Sequence, residues 1–308
     1  MSSFELPLSA DRKSSDVMPV QRKRTKIRSL GQGSAGPVVT AIVVVIALLW
    51  SVPTFGLFVA SFRPANLITT TGWWTGLIPP WTFTIQNYLN VIQANGLSQA
   101  FLNSLIIAIP GTLFPLLLGA FAAYAFSWLK FPGRDFIYFG VVALLVVPSQ
   151  IALAPVLQIF TAIGFTGQYW AVWVAHTAFG LPFAVFLLRN FFASLPKDLM
   201  ESARIDGASS FRTFWAIVLP LSVPALASLA IFQFMWVWND LLVSLIFLSG
   251  NPDHAPMTLT VANLVGQYGE NYPVLTAASF LSMALPLVIF FSLQRYFVSG
   301  ILAGAVKG

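Results

Sequence analysis

The sequence contains no cysteine and few charged residues. Without thiols the chain can form no disulfide and offers no thiolate ligand to a metal ion. Only 8% of its 308 residues are charged and 57% are hydrophobic, whereas soluble domains carry roughly 25% charged residues. This composition excludes an ordinary soluble domain and predicts a multi-pass membrane protein of the all-α class.

The chain also lacks the short motifs that support hydrolytic chemistry. It has no G-x-x-x-x-G-K-[ST], no H-E-x-x-H and no G-x-S-x-G, so we expect no ATPase site and no enzyme activity of its own. A match to G-x-G-x-x-G at 31–36 precedes an apolar run and follows no strand, so it predicts no nucleotide site. His176 and His254 have no acidic neighbours at ligand spacing, so we predict no metal site and expect hydrogen-bonded structural or surface roles.

Long apolar runs predict six transmembrane helices. Each is near the roughly 20 residues that a bilayer crossing requires. Prolines within several of the runs imply kinked helices. The predicted spans are 38–62, 101–129, 136–160, 169–188, 221–248 and 275–293.

The basic residues predict the orientation of these spans. Of the 16 Lys and Arg residues, all but Arg63 precede the first span or follow the second, fourth and sixth. The positive-inside rule therefore predicts that both termini are cytoplasmic. Residues 1–36 are expected to be a disordered basic tail that contacts lipid rather than nucleic acid. Residues 37–308 are expected to form the transmembrane domain.

A charged segment at 190–220 interrupts the apolar spans. Pro196 suits the first turn of a short helix, and Gly207 suits a left-handed C-terminal cap. Ser209 or Ser210 can cap a second helix, which Pro220 is expected to end. One face of the first helix is small or apolar, at Pro196, Leu199, Met200, Ala203 and Gly207. This predicts a helix-turn-helix along the membrane, either docking a partner or resting as an amphipathic connector on headgroups.

The spacing Glu-x-Ala-x-x-x-Gly-x9-Ile-x-Leu-Pro in this segment resembles the loop by which permease subunits of ATP-binding-cassette (ABC) importers grip their ATPase. Further resemblance to the carbohydrate-uptake, maltose-permease-like branch lies at 238–242, 294–300 and 302–308. It implies the type I ABC importer permease fold. The implied ATPase-coupling residues are Glu201, Ser202, Ala203, Asp206, Gly207, Ile217, Leu219 and Pro220, and Ser202 stands where the family usually has alanine.

The resemblance also implies partners and a mechanism. The chain would pair with a second six-helix permease subunit, two ATPase subunits and an extracytoplasmic sugar-binding protein. It would bind no cofactor itself, since ATP and Mg would sit on the ATPase subunits. Closure of the ATPases would push on the 201–220 segment and switch a sugar pathway between its inward-facing and outward-facing states.

Candidate residues for the sugar pathway are Asp240, Asn239, Gln233 and Gln150. Asp240 is the one acidic residue in a predicted span, and amides bind hydroxyls, but bonds between helices explain these side chains equally well. The expected substrate is an α-glucoside or oligosaccharide. An importer permease for a non-sugar solute, and then a secondary transporter, are the alternatives.

Overall fold

The computed structural model describes residues 36–94, 96–267 and 272–305, which contain helices and no strand. By its internal contacts the chain divides into residues 1–51 and residues 52–308. The predicted basic tail at 1–36 lies, apart from Gly36, outside the described residues.

The described residues form fourteen α-helices. Short 3-10 helices also occur at Trp73–Leu77, Leu144–Val146 and Pro252–His254, and a single π-helical turn at Phe214–Val218. In chain order, the α-helices are α1 Pro37–Ser61, α2 Ala65–Ile68, α3 Gln86–Ala94, α4 Leu97–Trp128, α5 Arg134–Ala143, α6 Ser149–Ala162, α7 Tyr169–Phe192, α8 Lys197–Ile205, α9 Ser210–Thr213, α10 Leu219–Leu221, α11 Val223–Trp238, α12 Leu242–Phe247, α13 Met257–Gln267 and α14 Tyr272–Ala305.

Four of these helices are each long and apolar enough to cross a membrane. They are α1, α4, α7 and α14, and they coincide with the first, second, fourth and sixth predicted spans. Two further helix pairs qualify only if each bent pair counts as one span. The described residues therefore hold four to six spans.

The third predicted span, 136–160, is wrong as a single helix. It consists of α5 and α6, which meet at an angle of 106°. Pro148 is the N-cap of α6, and Val147 before it is extended, with φ −76° and ψ 116°. A proline disfavours the α conformation in the residue before it, so the helix ends there.

The fifth predicted span, 221–248, begins within two residues of α11 but is wrong at its C-terminal end. The helix bends by 77° between Leu221 and Val223, and α11 ends at Trp238, so Asp240 lies between helices. The predicted stop at Pro220 falls instead at Ser222, whose φ and ψ are −100° and 8°. Pro220 sits at the start of α10, where a missing amide hydrogen is tolerated.

The helices α4 and α7 approach each other closely through small residues. A Cβ atom added to Gly119 would lie 2.6 Å from the Cβ of Ala184. Ala123 and Ala184 are completely buried, and Gly119 and Ala123 are four residues apart, as are Gly180 and Ala184. This small-x-x-x-small spacing lets the two backbones pack tightly in a membrane.

Arg63, the exception to the charge asymmetry, is a buried structural residue. Its side chain is 3% exposed, and its Nη atoms donate to the carbonyl oxygens of Thr71 and Gly72 and to the hydroxyls of Thr71 and Thr75. The guanidinium therefore ties the end of α1 to the loop that precedes and includes the first 3-10 helix.

Candidate functional site

The first helix of the charged segment forms as predicted. Helix α8 begins after Pro196 and has Asp198 in its first turn. At its C-terminal end Gly207 has a φ of +74°. The Ala208 amide donates to the Ala203 carbonyl at 2.9 Å, which satisfies a carbonyl that a helix end otherwise leaves free.

The second helix is capped by Ser209, one of the two serines predicted for this role. The Ser209 hydroxyl accepts a hydrogen bond from the Arg212 amide at 3.3 Å. Helix α9, the π-helical turn and α10 then follow without a gap. The segment is a helix-turn-helix whose turn lies between Asp206 and Ser209.

One face of α8 is buried against the transmembrane helices. Met200 and Ala203 are 4% and 6% exposed, and Met200 packs in a cluster with Tyr124 of α4 and Leu188 of α7. Leu199, predicted for the same apolar face, is instead 39% exposed, because the buried stripe is narrower than the sequence pattern.

The opposite face of α8 is open. Of the predicted coupling residues, Glu201, Ser202, Asp206, Gly207 and Pro220 are exposed, Ile217 and Leu219 are half-buried, and Ala203 is buried. Ile205, outside the predicted set, is 86% exposed. An exposed isoleucine among charged residues gives this face apolar contact area for a partner.

Polar and aromatic contacts also connect the segment to α4. Arg204 Nη2 donates to the carbonyl of Trp128 at 3.4 Å. The ring of Phe214 stacks on that of Phe121, with centroids 4.9 Å apart. The segment is therefore attached to α4 both from α8 and from the π-helical turn.

Gln150 lies at the break of the third span. It lines a cavity of about 500 Å³ together with Ser149, Phe179 and Trp236. A backbone break inside a membrane needs water or protein against it. This cavity combines polar and aromatic groups, as sites for small molecules commonly do.

Gln233 lies beside a second cavity, of about 230 Å³, that shares Phe179 and Trp236 with the first. The side chain is 4% exposed, and its Nε2 donates to the Gly111 carbonyl at 3.1 Å. Gln233 thus bonds α11 to α4 while one side of it faces the cavity.

Asn239 and Asp240 line neither of these two cavities. Asp240 Oδ2 accepts hydrogen bonds from the amides of Val243 at 3.0 Å and Ser244 at 3.2 Å, so it caps α12. Asn239 Nδ2 donates to the Met235 carbonyl at 2.7 Å. A role for either residue in the sugar pathway stays a prediction.

His176 differs from its expected role. The side chain is completely buried in α7, and among the described residues neither ring nitrogen has a hydrogen-bond partner. Its Nε2 lies 3.8 Å from Asp240 Oδ2, which exceeds hydrogen-bond distance. The sequence carried no signal for this proximity, because the two residues are 64 positions apart in the sequence.

Several apolar spans joined by a two-faced helical segment define a multi-pass transporter subunit. The chain belongs to the family described as binding-protein-dependent transport system inner membrane component, whose family model matches residues 115–302.

Individual relatives cover most of the chain. It is 51% identical over 268 residues to an osmoprotective compounds uptake permease protein, GgtD, of Synechocystis sp., covering 86% of this chain and 90% of the relative. It is 52% identical over 239 residues to an alpha-glucoside transport system permease protein, AglG, of Rhizobium meliloti, covering 76% of this chain and 63% of the relative.

The fold is similar to a solved structure. A chain of a bacterial ABC transporter involved in the import of the acidic polysaccharide alginate superposes with a TM-score of 0.60 at 17% identity, covering 85% of this chain and 96% of that one. The part of the chain that the structure describes thus has the helical fold of an ABC importer permease.

Proposed function

We propose that this chain is a permease subunit of an ATP-driven, binding-protein-dependent sugar importer. The observation that carries the proposal is the charged segment, with one face of α8 anchored on α4 and α7 and the other open. The relative named for alpha-glucoside transport supports an α-glucoside or oligosaccharide as the substrate.

The proposed topology has six spans, with both termini and α8 in the cytoplasm of an inner-membrane protein. Contacts between helix ends support spans that alternate in direction, with α4 and α7 parallel to each other. Arg189, at the end of α7, contacts the Tyr138 ring of α5 at 4.6 Å, and Ser127 of α4 bonds the Arg189 carbonyl. At the opposite ends Asn103 of α4 accepts from Tyr169 of α7 at 2.7 Å. Residues 37–308 would form one permease domain behind a cytoplasmic tail at 1–36.

The proposed partners are two ATPase subunits, a second six-helix permease subunit and an extracytoplasmic sugar-binding protein. The ATPase would contact the exposed residues Glu201, Ser202 and Asp206. Support for a binding protein comes from the solved alginate ABC transporter, which is in complex with a periplasmic protein that carries an alginate pentasaccharide. The chain itself would bind no nucleotide and catalyse no reaction, with ATP and Mg held by the ATPases.

The sugar pathway is proposed to run past the break between α5 and α6. There Gln150 and Gln233 would bond sugar hydroxyls and Trp236 would stack on a sugar ring. Asn239 and Asp240 are retained as predicted pathway residues near the end of α11.

Purification in mild detergent tests the complex. We expect the chain to copurify with a Walker-motif ATPase and a second permease, and sugar uptake to require ATP. A chain that purifies alone and transports on an ion gradient would contradict the proposal.

Substitution of Gln150 tests the pathway. Gln150→Leu should raise the sugar concentration for half-maximal uptake about fivefold, since removing a hydrogen bond to a neutral hydroxyl costs about 1 kcal/mol. Gln168→Leu, the control, alters a glutamine at the N-cap of α7, away from the cavity. Equal uptake by both variants would remove Gln150 from the pathway.

A further inference from the structure

A third cavity, lined by apolar and aromatic residues, lies beside the charged segment. Its volume is about 480 Å³, within the range of small-molecule sites. It is enclosed by α4, the π-helical turn and the start of α11, including Leu117, Phe121, Trp215 and Val223. All of its lining residues are apolar or aromatic, so it offers no site for a sugar.

The segment that forms one wall of this cavity lies across the membrane spans. Ser210–Leu221 makes an angle of 77° with α11. Membrane helices tilt on average about 20° from the bilayer normal, so a segment at this angle runs nearly parallel to the membrane surface. The cavity therefore opens at the depth where lipid headgroups meet acyl chains.

The residues on this segment are those of an interfacial helix. Phe211 and Trp215 are 66% and 46% exposed, and aromatic rings of this kind favour the membrane interface. Arg212 is also exposed. Within the described residues its side chain has no ion-pair or hydrogen-bond partner. A free cation at the interface attracts an anionic group.

We infer that this cavity binds an anionic phospholipid of the cytoplasmic leaflet, with an acyl chain against Phe121 and Trp215 and the headgroup phosphate near Arg212. The apolar wall matches the acyl chain, and the charge of Arg212 matches the phosphate. Phe214 and Leu219 line the cavity and belong to the 201–220 segment that is proposed to receive the ATPase. A lipid bound in the cavity would therefore support this segment from its membrane side. The inference goes beyond transport and rests on the proposed orientation.

Photolabelling tests the inference without transport. The full-length chain, with the subunits that copurify with it, is placed in lipid nanodiscs that contain phosphatidylglycerol carrying a diazirine on one acyl chain. We expect the label on the peptides that contain 116–121 and 214–226. Phosphatidylcholine with the same acyl chain should label these peptides about fivefold less, the factor that one basic residue supplies at a membrane surface.

Three variants locate the site. Leu117→Trp fills the cavity and should reduce phosphatidylglycerol labelling at least fivefold, whereas Leu118→Trp, one residue along α4 and outside the cavity wall, should not change it. Arg212→Gln should bring the two lipids to equal labelling. Equal labelling of the wild type and Leu117→Trp, or no preference for phosphatidylglycerol, would each overturn the inference. None of these results depends on sugar uptake, so the failure of one proposal is distinguishable from the failure of the other.

Discussion

The contact between Gly119 and Ala184 yields a quantitative prediction about how α4 and α7 pack. A methyl group at position 119 would lie 2.6 Å from the Ala184 methyl group. Carbon atoms pack best at about 3.5–4.0 Å, so Gly119→Ala must push the helices apart by roughly 1 Å. Overpacking of this kind costs about 1–3 kcal/mol.

Intrinsic helix propensity works in the opposite direction. Alanine favours a helix over glycine by about 0.5–1 kcal/mol, so Gly119→Ala alone can hide part of the clash. A double-mutant cycle with Ala184→Gly separates the two effects, because the propensity terms of the single variants cancel. We expect the double variant to be about 1–3 kcal/mol less destabilised than the sum of the two single variants, because the swapped pair again has one methyl group at the contact.

The cycle can be measured by reversible unfolding of the four variants in mixed micelles. Gly140→Ala in α5 is the matched control, because a Cβ atom there meets nothing within 4 Å. A coupling energy within about 0.5 kcal/mol of zero, the usual limit of additivity, would show that the two helices are not in this contact.

Three further predictions concern coupling to the ATPase, the hydrogen bonds of Arg63 and the end of α11. Gly207→Val should destabilise the end of α8 by about 1–2 kcal/mol, because φ is +74° there. It should reduce ATPase association and sugar uptake before it reduces membrane insertion. In the control, Gly140→Val, the side chain also enters open space but at a helical φ, so ATPase association and sugar uptake should be unchanged. Arg63→Met should lower the unfolding free energy by about 2–3 kcal/mol. Arg63→Lys should recover only part of this loss, since an ammonium group lacks the planar set of donors of a guanidinium. Full stability of Arg63→Met would contradict a structural role for the hydrogen bonds of Arg63. Asp240→Ala should destabilise α12 by about 1 kcal/mol and Asp240→Asn by less, because asparagine also caps helices; altered sugar preference with unchanged thermal stability in Asp240→Asn would instead assign Asp240 to the pathway.

The charged segment could be predicted from the sequence because its determinants are local. Gly207 and Ser209 each act on residues within four positions of themselves and have the predicted capping roles. Pro196, predicted for the first helical turn, is instead the N-cap one residue before α8. The four continuous spans were predictable for a similar reason, since length and hydropathy are properties of one segment.

The remaining features depend on residues that are distant in the sequence. Pro148 and Pro182 both interrupt apolar runs, yet the helix breaks at the first and continues through the second. Proline removes a hydrogen bond in both places, and packing against other helices decides whether the helix continues. Two other features likewise could not be predicted without the arrangement of the helices. They are the proximity of His176 to Asp240 and that of Gly119 to Ala184.

The break between α5 and α6 has a consequence for how the protein is made. With 10 residues in α5 and 14 in α6, the two helices are about 15 Å and 21 Å long. Neither spans a hydrocarbon core of about 30 Å. During synthesis this pair cannot leave the translocon for lipid as an independent helix, as α4 and α7 can. Its stable insertion awaits α7, or a neighbouring subunit, to cover the open backbone at the break, so the third crossing is secured only after the fourth has been made.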